Sequence, residues 1–143
     1  MLVASASLAG PSALADAPPD RYVVTADTVR DTKTSLLWQR AVSLVDGGNV
    51  QSLEQATRLC SMPWRLPTIK ELATLVDEDA AAPPFIDAKA FPATPNLPVW
   101  SSTHSNALME DYRSYVLSSD GTMMSVYYNG SDLPGGGVVR CVQ

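Results

Sequence analysis

Few side chains in this sequence can make or break bonds. His104 is the only histidine, and Ser101, Ser102 and Ser105 lie beside it. An imidazole can serve as a general base near neutral pH. No nucleophile-elbow pattern surrounds those serines, so His104 reads as a polar loop residue and the chain as a non-enzyme. Cys60 and Cys141 are the only cysteines. Neither has a nearby His or Cys to complete a zinc site. Asp77-Glu78-Asp79 clusters carboxylates of the kind that Ca²⁺ takes, but EF-hand spacing is missing. Acids here oppose the dipole of the helix before them, and they read as residues that stop it and face water. No metal and no cofactor is expected.

Binding chemistry is better represented. Tyr112, Tyr115, Tyr127 and Tyr128 share one C-terminal region, leaving only Tyr22 outside it. They are interleaved with Asn106, Asp111, Arg113, Ser114, Asn129 and Asp132. Tyrosine among small polar residues is the composition of adaptable recognition surfaces, because it gives contact area at low entropic cost. His104, Asn106, Tyr112, Tyr127, Tyr128, Asn129 and Asp132 are therefore the candidate ligand-binding set. The competing reading is ordinary strand aromatics, with Tyr115 simply in the core. Tyr127 and Tyr128 are neighbours on one strand and point to opposite faces, one packed and one presented.

The elements that must position these residues follow from punctuation and periodicity. Trp64 to Leu72 reads Trp-Arg-Leu-Pro-Thr-Ile-Lys-Glu-Leu and carries every signal of a helix start. Thr68 and Glu71 form a capping box, and Pro67 keeps the preceding chain extended. Ile69, Leu72, Ala73, Leu75 and Val76 give an apolar face, with Trp64 and Leu66 as core residues leading in. A second capping box, Ser52 with Gln55, starts an earlier helix whose inward side is Leu53, Ala56, Leu59 and Cys60. Met62-Pro63 ends it.

Strands are expected at Tyr22–Thr25, near Val29, at Leu36–Arg40 with Trp38 buried, and at Val99–Ser102. Tyr112–Ser118 and Thr122–Tyr128 make a hairpin on the two-residue turn Asp120-Gly121. Val138–Val142 is the last strand, reached through a flexible Gly135–Gly137 hinge. Between helix and sheet, Ala80–Pro98 holds five prolines and cannot be regular structure. It is a long loop anchored by Phe85, Ile86, Phe91 and Leu97.

Bulk properties narrow the classes. The 143 residues are 45% hydrophobic and 17% charged, which suits one globular domain with one core. A net charge of −5 and a pI near 4.6 argue against nucleic acid, whose binding rests on basic patches. Residues 1–15 carry no charge and end Ala13-Leu14-Ala15. This reads as the apolar run and cleavage signal of a secretory leader, too short to span a bilayer, with a flexible amino-terminal tail as the alternative. Residues 16–21 are a linker, and the domain spans 22–143. In an exported chain an even cysteine count reads as a disulfide, with two buried thiols as the alternative. A bridge closing about 80 residues contributes roughly 4.5 kcal/mol in the chain-entropy treatment.

Taken together, Val29-x-Asp31-x-x-Thr34, Leu37-Trp38-Gln39, Trp64-Arg65-Leu66-Pro67-Thr68 with Glu71, and Trp100-Ser101-Ser102-Thr103 resemble the signature of the Lcl C-terminal domain family, also catalogued as domain of unknown function 1566. That family is named for a collagen-like bacterial adhesin. The resemblance implies a C-type-lectin-like α+β fold, with two helices packed on small antiparallel sheets beside a long Pro-rich loop region. The glycine usual after the family's threonine is Ser35 here. A Cys60–Cys141 bridge would occupy the bridge position of C-type-lectin-like folds. The Glu-Pro-Asn and Gln-Pro-Asp tripeptides of calcium-dependent lectins are absent. Arg65-Leu66-Pro67-Thr68 is also similar to a turn in formylglycine-generating-enzyme-like domains. Their redox-active cysteine pair has no counterpart beyond the two bridge cysteines, so that catalysis is not carried over.

The combined expectation is a secreted, periplasmic or cell-surface binding domain. It would act in adhesion or surface recognition of a glycan or protein. Two alternatives stand beside it: a structural or assembly module of an envelope, fibre or pilus-like complex, and a diversified receptor domain.

Overall fold

The computed structural model describes residues 17–46, 48–105, 113–127, 129, 131 and 133–143. It is an α+β protein with two small antiparallel sheets and two helices. Strands β1 (Tyr22–Val24), β2 (Thr28–Asp31) and β3 (Leu37–Gln39) form the first sheet in that order. Helices α1 (Leu53–Leu59) and α2 (Ile69–Ala73) follow. Strands β4 (Val99–His104), β5 (Arg113–Leu117) and β6 (Met123–Tyr127) form the second sheet, again in sequence order.

The chain after Leu133 ties the two sheets together. Gly136 to Val142 is buried throughout, and its partners change from residue to residue. Gly137 bridges Val50, Val138 bridges Val99, Val139 bridges Ser43, and Val142 bridges both Trp38 and Arg65. Val138 and Val142 face one core with Val29, Trp38, Ile69, Leu72, Phe91, Val99 and Leu117. Val139 and Cys141 face the other with Val50, Leu53, Ala56, Leu66, Trp100, Val116 and Val126. A segment covered on both faces has no solvent side, and its one charged side chain, Arg140, is buried and donates to the Gln39 carbonyl at 2.8 Å and to Thr94 Oγ1 at 2.9 Å. The expected single core is thus two, divided by β4 and the closing segment.

Several expectations change on contact with this packing. Of the expected hinge Gly135–Gly137, Gly136 and Gly137 are packed in, and only Gly135 has open space beside it. A Cβ on Gly137 would lie 2.6 Å from the Pro98 carbonyl oxygen, and one on Gly136 would lie 2.8 Å from that of Val50. Helix α2 stops at Ala73, with Thr74 as its C-cap, so Leu75 and Val76 lie beyond it and Ala73 is exposed. The acids after it do not terminate it, and Asp77 is half-buried rather than solvated. The β5–β6 turn is wider than the two residues expected. Gly121 donates to the Ser118 carbonyl, and Ser118 to that of Thr122. Gly121 itself takes φ +81°, the left-handed position that closes a three-residue hairpin loop. The Ser52 cap forms, but the Gln55 side chain accepts from the Gln51 N–H at 2.7 Å, one residue short of closing a box on Ser52.

The Ala80–Pro98 loop is anchored as its sequence suggests by Ile86 and Phe91, while Phe85 and Leu97 are half-buried. Residues expected as a linker are held: the Ala17 N–H donates to Asp87, and Arg21 pairs with buried Asp31 at 3.3 Å. Cys60 and Cys141, 81 positions apart in sequence, are joined, so α1 is stapled to the closing segment.

Candidate functional site

The Arg65–Glu71 turn sets the depth of β4. Pro67 accepts from the Ser102 N–H at 2.7 Å, and the Ile69 N–H donates to Thr103 Oγ1 at 2.9 Å. Below that contact Glu71 gathers the whole motif. Its Oε2 accepts from the Thr68 N–H at 2.8 Å while Thr68 Oγ1 accepts from the Glu71 N–H at 3.2 Å, a closed capping box. Both Glu71 oxygens also accept from Arg65, at 2.8 and 2.6 Å. The Arg65 hydrogen bonds, joined by that of the Thr68 amide, hold the Glu71 carboxyl down at about 2 against the pull of partial burial. Both Glu71 carboxyl oxygens, the Thr68 hydroxyl and the Arg65, Pro67 and Thr68 carbonyls are engaged within the chain, so Arg65, Leu66, Pro67, Thr68 and Glu71 act as scaffold. Trp100 and Trp38 are fully buried. Trp64 is half-buried at the edge of the second core.

From that scaffold, β4, β5 and β6 bring two of the candidate residues, His104 and Tyr127, to one end of the sheet, together with Arg113. His104 ends β4 opposite Ser114, and Arg113 pairs in register with Tyr127. The Arg113 N–H donates to Ser105 Oγ at 3.0 Å, and its carbonyl accepts from the Ser105 N–H at 2.8 Å. The Arg113 guanidinium carbon sits 3.9 Å from the centre of the Tyr127 ring, a cation–π stack. Tyr127 is 39% exposed, and Met123 on the same strand is 63% exposed. Only Val126 of β6 is buried. The strand is an edge that shows aromatic and thioether surface to solvent.

His104 is exposed, with Nδ1 2.9 Å from the Ser102 carbonyl. The serine hydroxyls beside it are engaged by the backbone. Ser101 Oγ donates to the Tyr115 carbonyl at 2.6 Å, and Ser102 Oγ to that of Pro67 at 3.2 Å. Asn129 is exposed and accepts from the Ser131 N–H at 3.1 Å. Asn106, Tyr112, Tyr128 and Asp132 lie outside the described residues. Tyr115 packs half-buried on the first core. Sequence reasoning missed Arg113 as the partner of Tyr127, since cross-strand register is invisible before the hairpin loop length is known.

Residues 27–143 match the family model of the Lcl C-terminal domain. The chain belongs to that family. No curated protein and no solved structure matches it. In this Lcl C-terminal domain the family match runs from just before β2 to the last residue, and so includes both cores and the whole rim. Among the described residues no helix is long and apolar enough to cross a membrane. Among the same residues no group of three or more His, Cys, Asp or Glu gathers to hold a metal ion.

Proposed function

We propose that this Lcl C-terminal domain is an exported, non-catalytic binding domain of C-type-lectin-like fold. It uses the rim of its second sheet to recognise a glycan or a protein surface, in adhesion or a related contact. One observation carries this reading: Tyr127 is partly exposed and stacked under Arg113 on an edge strand, where a ring fixed in orientation offers area at little entropic cost. His104 on the same sheet end adds a polar group to fix orientation. The family match supports a surface-associated setting. Two helices, two small sheets and a bridge from the first helix to the closing segment support the lectin-like fold. Serine hydroxyls committed to carbonyls support a role without catalysis.

The test is a glycan array run with and without calcium, alongside a pull-down against envelope and host-matrix proteins. A ligand captured at the rim should lose about 2 kcal/mol, roughly thirty-fold, with Tyr127→Ala while melting stays within a degree or two. Capture independent of calcium is expected. A blank array, with one envelope partner recovered at wild-type strength by Tyr127→Ala, replaces recognition with the assembly reading. That second reading has its own observation: Val23 and Val24 on the edge strand β1 are 56% and 41% exposed, an apolar edge suited to pairing with another chain.

A further inference from the structure

Asp27 and Arg40 are opposite charges that stand across from each other on the first sheet and do not pair. The β2–β3 ladder sets Thr28 opposite Gln39 and Val29 opposite Trp38. It continues one step further, where the Arg40 N–H donates to the Asp27 carbonyl at 2.8 Å. Residues directly opposite on antiparallel strands project to one face, and opposite charges so placed ordinarily bind each other. No ion pair joins these two among the described residues. The long loop draws Arg40 away instead. Its Nε donates to the Ala90 carbonyl at 3.2 Å, and its Nη2 to that of Lys89 at 3.4 Å. Both acceptors are neutral, and Nη1 has none among the described residues.

Asp27 and Arg40 both line a cleft of about 340 Å³, within the size range of small-molecule sites. Ala26, Val42 and Pro92 give it apolar walls. Buried Arg140, which donates to the Arg40 carbonyl, adds a second cation that meets no carboxylate among the described residues. One cleft thus presents a guanidinium and a separate carboxylate. A ligand bearing only anions would meet Asp27 as a like charge, and one bearing only cations would meet Arg40 so, each at a cost. A molecule that carries both charges on one carbon satisfies both residues. Its carboxylate takes the remaining N–H groups of the planar guanidinium, and its ammonium donates to Asp27.

We propose that this cleft binds a free aliphatic α-amino acid, with the carboxylate on Arg40, the ammonium on Asp27 and the side chain against Val42 and Pro92. The site shares no residue with the β6 rim and stands whether or not the rim recognises a ligand. To test it, the full chain is titrated by calorimetry with L-alanine, L-valine, L-leucine and L-isoleucine. The tightest binder is then compared with its N-acetyl and carboxamide forms, each of which lacks one charge. Either form should bind at least about tenfold more weakly. Asp27→Asn should weaken the amino acid by about tenfold and leave the weak binding of the N-acetyl form as it is in the wild type. Asp27 is exposed, so this variant decides the matter even where Arg40→Gln loosens the loop that Arg40 ties. Arg40→Gln should weaken the amino acid and spare the carboxamide. Tyr127→Ala should change none of these titrations, and a loss there overturns the assignment to this cleft. No binding of any of the four at about 10 mM, equal binding of parent and blocked forms, or wild-type binding by Asp27→Asn overturns the proposal.

Discussion

Glu71 shows how much one side chain can organise. It completes the cap of α2, binds Arg65 through both oxygens, and so holds the turn on which β4 rests. Thr68→Ala removes the cap hydroxyl and should cost about 1 kcal/mol in urea unfolding. The Glu71 carboxyl sits at about 2, below its ordinary 4.5. A group depressed on folding contributes stability that is complete above its unfolded value and disappears as pH falls toward the folded one. Stability of the wild type should therefore fall between about pH 4.5 and 2 more steeply than that of Glu71→Gln, measured by denaturation at each pH; parallel curves would refute the linkage. The two buried tryptophans make a second contrast. Trp100 Nε1 donates to the Val50 carbonyl at 3.0 Å, whereas Trp38 Nε1 has no hydrogen-bond partner among the described residues. Trp100→Phe should cost about 1 kcal/mol more than Trp38→Phe, the net worth of one buried hydrogen bond.

Among the elements, turns hold the strain. Ser35, standing where the family's glycine is usual, takes φ +63°. Its N–H still donates to the Asp31 carbonyl at 2.8 Å, so the turn survives the exchange. A side chain in that region costs roughly 1 kcal/mol, and Ser35→Gly should return about that much, read as a raised urea midpoint. The glycines of the closing segment differ from one another. Gly135 has φ +81° and open space beside it, while a Cβ on Gly137 would meet the Pro98 carbonyl oxygen and the Trp100 indole, 2.6 and 3.0 Å away. Gly137→Ala should destabilise by about 2–3 kcal/mol through overpacking, and Gly135→Ala by about 1 kcal/mol through backbone strain alone. Equal costs would mean that the segment is held less tightly than its contacts indicate. Trp64, expected in the core, is only half-buried, so Trp64→Ala should cost less than the roughly 3–5 kcal/mol of a fully buried tryptophan.

For the molecule as a whole, the Cys60–Cys141 bridge joins α1 to a segment that already contacts both sheets. It therefore constrains the unfolded chain over most of the domain. Thiol titration of the non-reduced, denatured protein should find none, and reduction should lower stability by up to about 4.5 kcal/mol. Two titratable thiols would remove both the bridge and the main support for an oxidising compartment. The same architecture leaves two apolar edges, β1 and β6, at the outer sides of the two sheets. Recognition by the β6 rim and assembly through β1 are consequently separable by mutation.

Local chemistry was enough wherever a signal and its partner lie within a few residues. The Thr68–Glu71 box, the Ser52 cap, the six strand segments and the burial of Trp38 all follow from short-range spacing and side-chain volume, whereas Val138–Val142, expected as a last strand, makes only isolated bridges. The family was readable for the same reason, since its signature is a set of such local motifs. Packing decided the rest. Helix α2 ends at Ala73 because Leu75 is drawn into the first core and Val76 bridges to Ile86 in the long loop, and no propensity encodes that competition. Gly136 and Gly137 look flexible in isolation but are closed in, Gly136 by Val50 and Gln51 and Gly137 by Pro98 and Trp100. Arg113 meets Tyr127 only once the hairpin loop sets the register. Asp87 and Ala17, seventy residues apart, become partners only when the long loop and the first strand share a core. Contacts between distant segments depend on the summed burial of every segment between them, and that sum exists only in the folded chain.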